Sequence, residues 1–173
     1  MNGDETIRGA LERCANTLAT DDSAGRGTAK TTVRLQPHLT CEVEEGPWRF
    51  AVSMPEKYGG ANVAPNPGVF GRAAVGSCLA IGYGMWAARL GVPIDALEVE
   101  VQADYDTRGE LAVSDEIPPG YLAMRYVVTV DSSASEADVL RVLDTADRYS
   151  SWRDDITRSL PLTREVRLTA RSR

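Results

Sequence analysis

A chain of 173 residues, 43% of them hydrophobic, is long enough to bury one core, and it reads most simply as a single domain over 1–173 that begins with a helix and loop at 1–27. Its formal charge of -6 argues against nucleic-acid and anionic-membrane partners, either of which favours a basic face. No uncharged apolar run approaches the length of about 18 residues needed to span a membrane, the opening MNGDETIRGALERC lacks the core of a signal peptide, and the expected compartment is the cytoplasm.

Residues Glu5 to Leu18 place Ile7, Leu11, Cys14 and Leu18 on one helical stripe before the turn formers of TDDSAGRGT. Alternation at Ala29–Gln36, at Leu39, Cys41 and Val43, and at Trp48, Phe50, Val52 and Met54 predicts three antiparallel strands, with a turn at Glu45-Gly46. The loop PEKYGGANVAPNP then delivers the chain to PGVFGRAAVGSCLAIGYGMWAARLG, from Pro67 to Gly91. Pro67 suits the first turn of a helix and Gly91 its end. Apolar side chains cover nearly all of this helix's circumference, which predicts burial, and Gly71, Gly76, Gly82 and Gly84 suggest a close partner helix.

Period two returns at Leu97, Val99, Val101, Ala103 and Tyr105, and again at Met124, Tyr126, Val128 and Val130. Glu98, Glu100, Asp104 and Asp106 fall on the polar face of the first of these strands. Ser133 and Glu136 fit a capping box for a helix with Val139, Leu143, Ala146 and Ser150 on one stripe. Leu162, Arg164, Val166 and Leu168 read as a last strand. The fold class is therefore α+β, with antiparallel sheets around a buried central helix.

Cys14, Cys41 and Cys78 are odd in number and widely spaced, matching neither a secreted disulfide framework nor a zinc-ligand pattern. His38 and Cys41 form an H-x-x-C pair with no further ligand nearby, so no metal and no cofactor is expected. Cys78 is either a nucleophile or an ordinary packing cysteine. It lies too far from Pro67 for the dipole of its own helix to activate it, and burial alone would raise its pKa. A reactive thiolate would thus need a cation from elsewhere. Arg72 faces away and Arg89 lies roughly 16 Å along the axis at 1.5 Å per residue, which leaves Arg26, Arg34, Arg49 or Arg125.

The segment NPGVFGRAAVGSCLAIGYGMWAARLGVPIDALEVEV, then PPGY, then a helix leading to DDITRSLPLTREV, resembles the OsmC/Ohr family, named for osmotic induction and organic hydroperoxide resistance. The resemblance runs from about Trp48 to Val166. It implies an intertwined homodimer with sites at the subunit interface. It also implies a peroxidatic cysteine on the central helix, held by an arginine and a glutamate and resolved by a second cysteine. Cys78 matches the peroxidatic position, and Arg34 is the preferred arginine. Ser150-Ser151 stand where the family has its resolving cysteine, and Val69 where it has its glutamate. Two readings follow. One is a one-cysteine peroxidase for organic hydroperoxides, recycled by a thiol reductant. The other is a non-catalytic dimer whose interface pocket, with Trp86 and Tyr83 in its wall, binds a small apolar ligand.

Overall fold

The structure is a computed structural model and describes residues 3–168. Its central element is a helix whose two ends are dictated locally. Asn66 accepts a hydrogen bond from the Val69 N–H at 3.2 Å, Pro67 occupies the first turn, and Gly91 ends the helix at a φ of 68° that favours glycine. Between them runs Pro67–Leu90, the second helix of the chain, α2. Val75, Leu79, Tyr83 and Ala87 recur every fourth residue and are buried. That row fixes which face of α2 turns inward, since burying a Val or Leu side chain stabilises by about 1.5–3 kcal/mol.

The surface receiving the row is the two-stranded antiparallel sheet of β4 (Ala96–Tyr105) and β5 (Tyr121–Asp131). Its register sets Leu97 opposite Val130, Val99 opposite Val128 and Val101 opposite Tyr126, all on the face that packs against α2. Gly76 lets the strand come close. A Cβ built there would stand 3.1 Å from Cγ2 of Val101. At this position the close neighbour is thus a strand, not the expected helix. Gly82 does face a helix, α4 (Glu136–Arg148), through Ala146.

The other sheet is a meander of β1 (Thr32–Gln36), β2 (Thr40–Glu45) and β3 (Trp48–Ser53), as the alternation predicted. Phe50 of β3 stacks on Phe70 of α2 at 5.2 Å. Much of the meander's apolar surface stays open, including Val33, Leu35 and Trp48, and so does one side of α2, where Ile81 is 63% exposed. In a single chain α2 is therefore buried along one face, not all round. No described helix is long and apolar enough to cross a membrane.

Several expectations need correction. The first helix, α1 (Gly3–Thr20), leaves Ile7, Cys14 and Leu18 exposed; its more sheltered positions are Gly9, Ala10, Leu11 and Ala15, so of the predicted stripe only Leu11 is sheltered. Ser135, not Ser133, caps α4, accepting from the Asp138 N–H at 3.2 Å. Asp106 lies beyond β4, where it caps the short α3 (Thr107–Glu110) by accepting from the Arg108 N–H at 3.0 Å. The segment 160–168 forms no strand. Leu162 is 97% exposed, because no neighbouring strand edge pairs with it and its alternation has nothing to bury. The later helix is also not continuous: it breaks after Arg148 and restarts as α5 (Ser151–Thr157).

Candidate functional site

The break between α4 and α5 builds the surroundings of Cys78. Ser150 has extended backbone angles and caps α5, its hydroxyl accepting from the Arg153 N–H at 3.4 Å. The first N–H groups of a helix have no partner inside it, and those of Ser151 and Trp152, at the start of α5, favour the thiolate of Cys78. The Ser150 and Ser151 hydroxyls each lie 3.5 Å from Cys78 Sγ. Ser150 is buried and Cys78 is half-buried, so the thiol keeps a path to solvent.

Partial burial pushes the Cys78 thiol up, but the Trp152 N–H, the two serine hydroxyls and the Ser151 N–H outweigh it and hold the pKa below its ordinary value. Within the chain the groups that lower the Cys78 pKa include no cation. The missing contribution comes from backbone and hydroxyl dipoles of an elbow between two helices. Arg34, the arginine preferred from the sequence, sits on β1 with its guanidinium 2.5 Å from Glu44, and Arg49 binds the same carboxylate at 2.8 Å. Arg125 is taken by Asp104 and Gln102, each at 2.7 Å. No arginine is among the groups that shift the Cys78 thiol.

One half-buried carboxylate pins the elbow. Asp147, three residues before Ser150, accepts from the Tyr83 hydroxyl at 2.6 Å and from the Tyr126 hydroxyl at 2.7 Å. Tyr83 belongs to α2 and Tyr126 to β5, so the end of α4 is tied to the helix that carries Cys78 and to the sheet beneath it. Burial, and then the Asp147 carboxylate, push both phenols above their ordinary pKa, which keeps them protonated as donors. Hydrogen bonds to a charged acceptor contribute about 1.5–3 kcal/mol each.

Trp86 stacks on Tyr149 at 5.3 Å and carries Arg89 on its ring at 5.0 Å, while Tyr83 is only 1% exposed. Both side chains are used in packing α2 against α4. Neither lines the cleft at the start of α2 or the smaller hollow beside α5. Val69, standing where the resemblance places a glutamate, brings no charge to the first turn of α2. Sequence reasoning missed Ser151, the Trp152 N–H and Asp147. The signal available was Ser150-Ser151 followed by Asp154 and Asp155, a hydroxyl cap with acidic residues in the turn after it.

Replacing Ser151 by Ala removes one hydroxyl donor to the thiolate while leaving its N–H in place. In a Cys14→Ser, Cys41→Ser background, the pH midpoint for alkylation of Cys78 should rise relative to the same background with Ser151. Alkylation near neutral pH should then slow. An unchanged midpoint would show that the hydroxyl does not stabilise the thiolate.

The model of the OsmC-like protein family matches residues 59–165. No curated protein sequence matches the chain. Among solved structures, an OsmC-like protein from Mycoplasma pneumoniae superposes with a TM-score of 0.65 at 11% identity, over 76% of this chain and 88% of that one. An organic hydroperoxide resistance protein from Legionella pneumophila gives 0.51 at 13% identity, over 75% and 89%. One from Elizabethkingia anophelis, with thiocyanate bound, gives 0.56 at 13%, over 75% and 87%. At such identities the structures establish a shared fold, while the family model spans the central helix, its cysteine and the elbow beside it: the chain belongs to the OsmC-like protein family.

Proposed function

We propose that this protein reduces organic hydroperoxides with thiols through a single cysteine, Cys78, acting as a homodimer. The observation that carries the reading is the pair of hydroxyls 3.5 Å from Cys78 Sγ at the start of α5, on a half-buried thiol whose pKa lies below its ordinary value. The thiolate attacks the terminal oxygen of the hydroperoxide. An S–O bond forms, the O–O bond breaks, and the alcohol leaves with a proton relayed from solvent, giving a sulfenic acid. An external thiol then condenses with the sulfenic acid, releasing water, and a second thiol exchanges with the mixed disulfide to restore Cys78. The sum is one hydroperoxide and two thiols converted to an alcohol, water and a disulfide. Ser150 and Ser151 take no covalent part, because an alcohol cannot form a disulfide.

The homodimer rests on what one chain leaves open: Ile81 and Met85 on α2, and Val33, Leu35 and Trp48 on the meander. Apolar surface of this kind marks an interaction face. The neighbours named for hydroperoxide resistance support the same family reading. A second reading, a dimer that binds a small apolar ligand without catalysis, is favoured by one observation, the lack of any cation among the groups acting on Cys78.

Consumption of an organic hydroperoxide, with a dithiol supplied, separates the two. The wild type should turn over and Cys78→Ser should fall to background; equal background rates would eliminate the peroxidase and leave the binder. Light scattering across a dilution series should return about twice the chain mass of 18.7 kDa, and a stable monomer would remove the dimer. Ser150→Cys tests the geometry directly. Side-chain atoms 3.5 Å apart lie within reach of a small adjustment to disulfide length. Mild peroxide should therefore link Cys78 to the new thiol, seen as a joined peptide pair. Oxidation of Cys78 without that pair would mean that the elbow does not hold position 150 against the sulfur.

A further inference from the structure

A cleft of about 370 Å³ opens at the start of α2, walled by the 3₁₀ turn Glu56–Tyr58, the first two turns of α2, and the ends of β4 and β5. That volume lies within the range of small-molecule sites, roughly 300–1,000 Å³. The cleft is separate from the thiol site: Cys78 and the α4–α5 elbow are not among its walls.

Its chemistry runs against that of the whole protein. The chain carries a formal charge of -6, yet Arg72 and Lys57 both face this cleft. Among the described residues neither has a carboxylate partner. Arg72 is held in place by a neutral group, Nη1 donating to the Tyr121 hydroxyl at 3.0 Å, and that hydroxyl donates to the Gly68 carbonyl at 3.0 Å. The guanidinium is thus oriented without being neutralised, and its remaining donors stay available. Gly68 keeps the floor of the cleft clear, since a Cβ there would stand 3.1 Å from the Tyr121 hydroxyl and 3.4 Å from Arg72 Nη1. Of the two acids in the lining, Asp106 is already neutralised by Arg108 at 2.5 Å, and Glu110 lies exposed.

The remaining walls mix polar groups with a small excess of apolar surface, and Tyr58, Tyr105 and Tyr121 contribute aromatic rings against which a flat apolar body can lie. A guanidinium fork matches a carboxylate in shape, Lys57 adds a second positive charge, and Glu110 disfavours a doubly charged anion. We propose that this cleft binds small carboxylates with a flat apolar body, aryl carboxylates being the simplest members, independently of any chemistry at Cys78.

Benzoate, its neutral analogue benzamide and the more highly charged phenyl phosphate are the probes, followed by ligand-observed NMR and calorimetry on the full chain. Benzoate should bind more tightly than either of the others. Arg72→Met, which keeps the aliphatic stem, should weaken benzoate by at least about ten-fold. Lys57→Gln, at an exposed position, should weaken it less while leaving the thermal midpoint unchanged. Cys78→Ser should bind like the wild type. Equal binding of benzoate and benzamide, tighter binding of phenyl phosphate, undiminished binding by both cation variants, or no binding at about 10 mM benzoate would each overturn the assignment. Loss of binding in Cys78→Ser would move the ligand to the thiol site and overturn it as well.

Discussion

The tie between Asp147 and the hydroxyls of Tyr83 and Tyr126 is the constraint on which the rest of the site depends. Apolar packing brings α4 against α2, through Ala146 and through Val142, which is fully buried. Such contacts are weakly directional, and a helix can slide or rotate on them at modest cost. A carboxylate held by donors from two different elements cannot slide without leaving the buried Tyr83 hydroxyl unpaired, at a cost of about 1–3 kcal/mol. It therefore sets where α4 stops. The position of the stop sets the elbow, and the elbow sets what surrounds the sulfur.

This ordering explains how a thiol in the middle of a helix comes under the influence of a helix end. The favourable field of α2 is spent near Asn66 and Pro67, far from Cys78. The α4–α5 break supplies a second helix start at the right place, and Ser150 serves both sides of it, accepting from Arg153 N–H while its hydroxyl faces the sulfur. A serine suits that double role because its oxygen accepts and donates at once.

Much of the fold was legible from periodicity alone. The alternation of β1 to β5 and the Pro67 and Gly91 boundaries of α2 survive in the structure because each is set by local patterning and capping. What failed were elements whose identity depends on a distant partner. Alternation at 162–168 finds no strand to pair with, and of the α1 stripe only Leu11 is sheltered. The site was legible only in part. Cys78 and Ser150 stood out, one by its helix and one by its stripe, whereas the Ser151 and Trp152 N–H groups become visible only once the helix is seen to break. Asp147 was hidden for another reason. In the sequence it is one acid among several on an amphipathic helix, and its hydrogen bonds come from two tyrosines that are 64 and 21 residues away.

The serines also bear on what kind of thiol chemistry the elbow can support. Hydroxyl and N–H donors stabilise the thiolate but, unlike a guanidinium, add no net charge. A less depressed thiol gains intrinsic reactivity even as its ionised fraction falls, and the best balance lies near the ambient pH. With serines at positions 150 and 151, an oxidised Cys78 would have no thiol in the elbow with which to form a disulfide. Its next reaction would have to be with a thiol arriving from solvent through the half-buried opening. Access to the elbow, not movement within it, would then govern turnover.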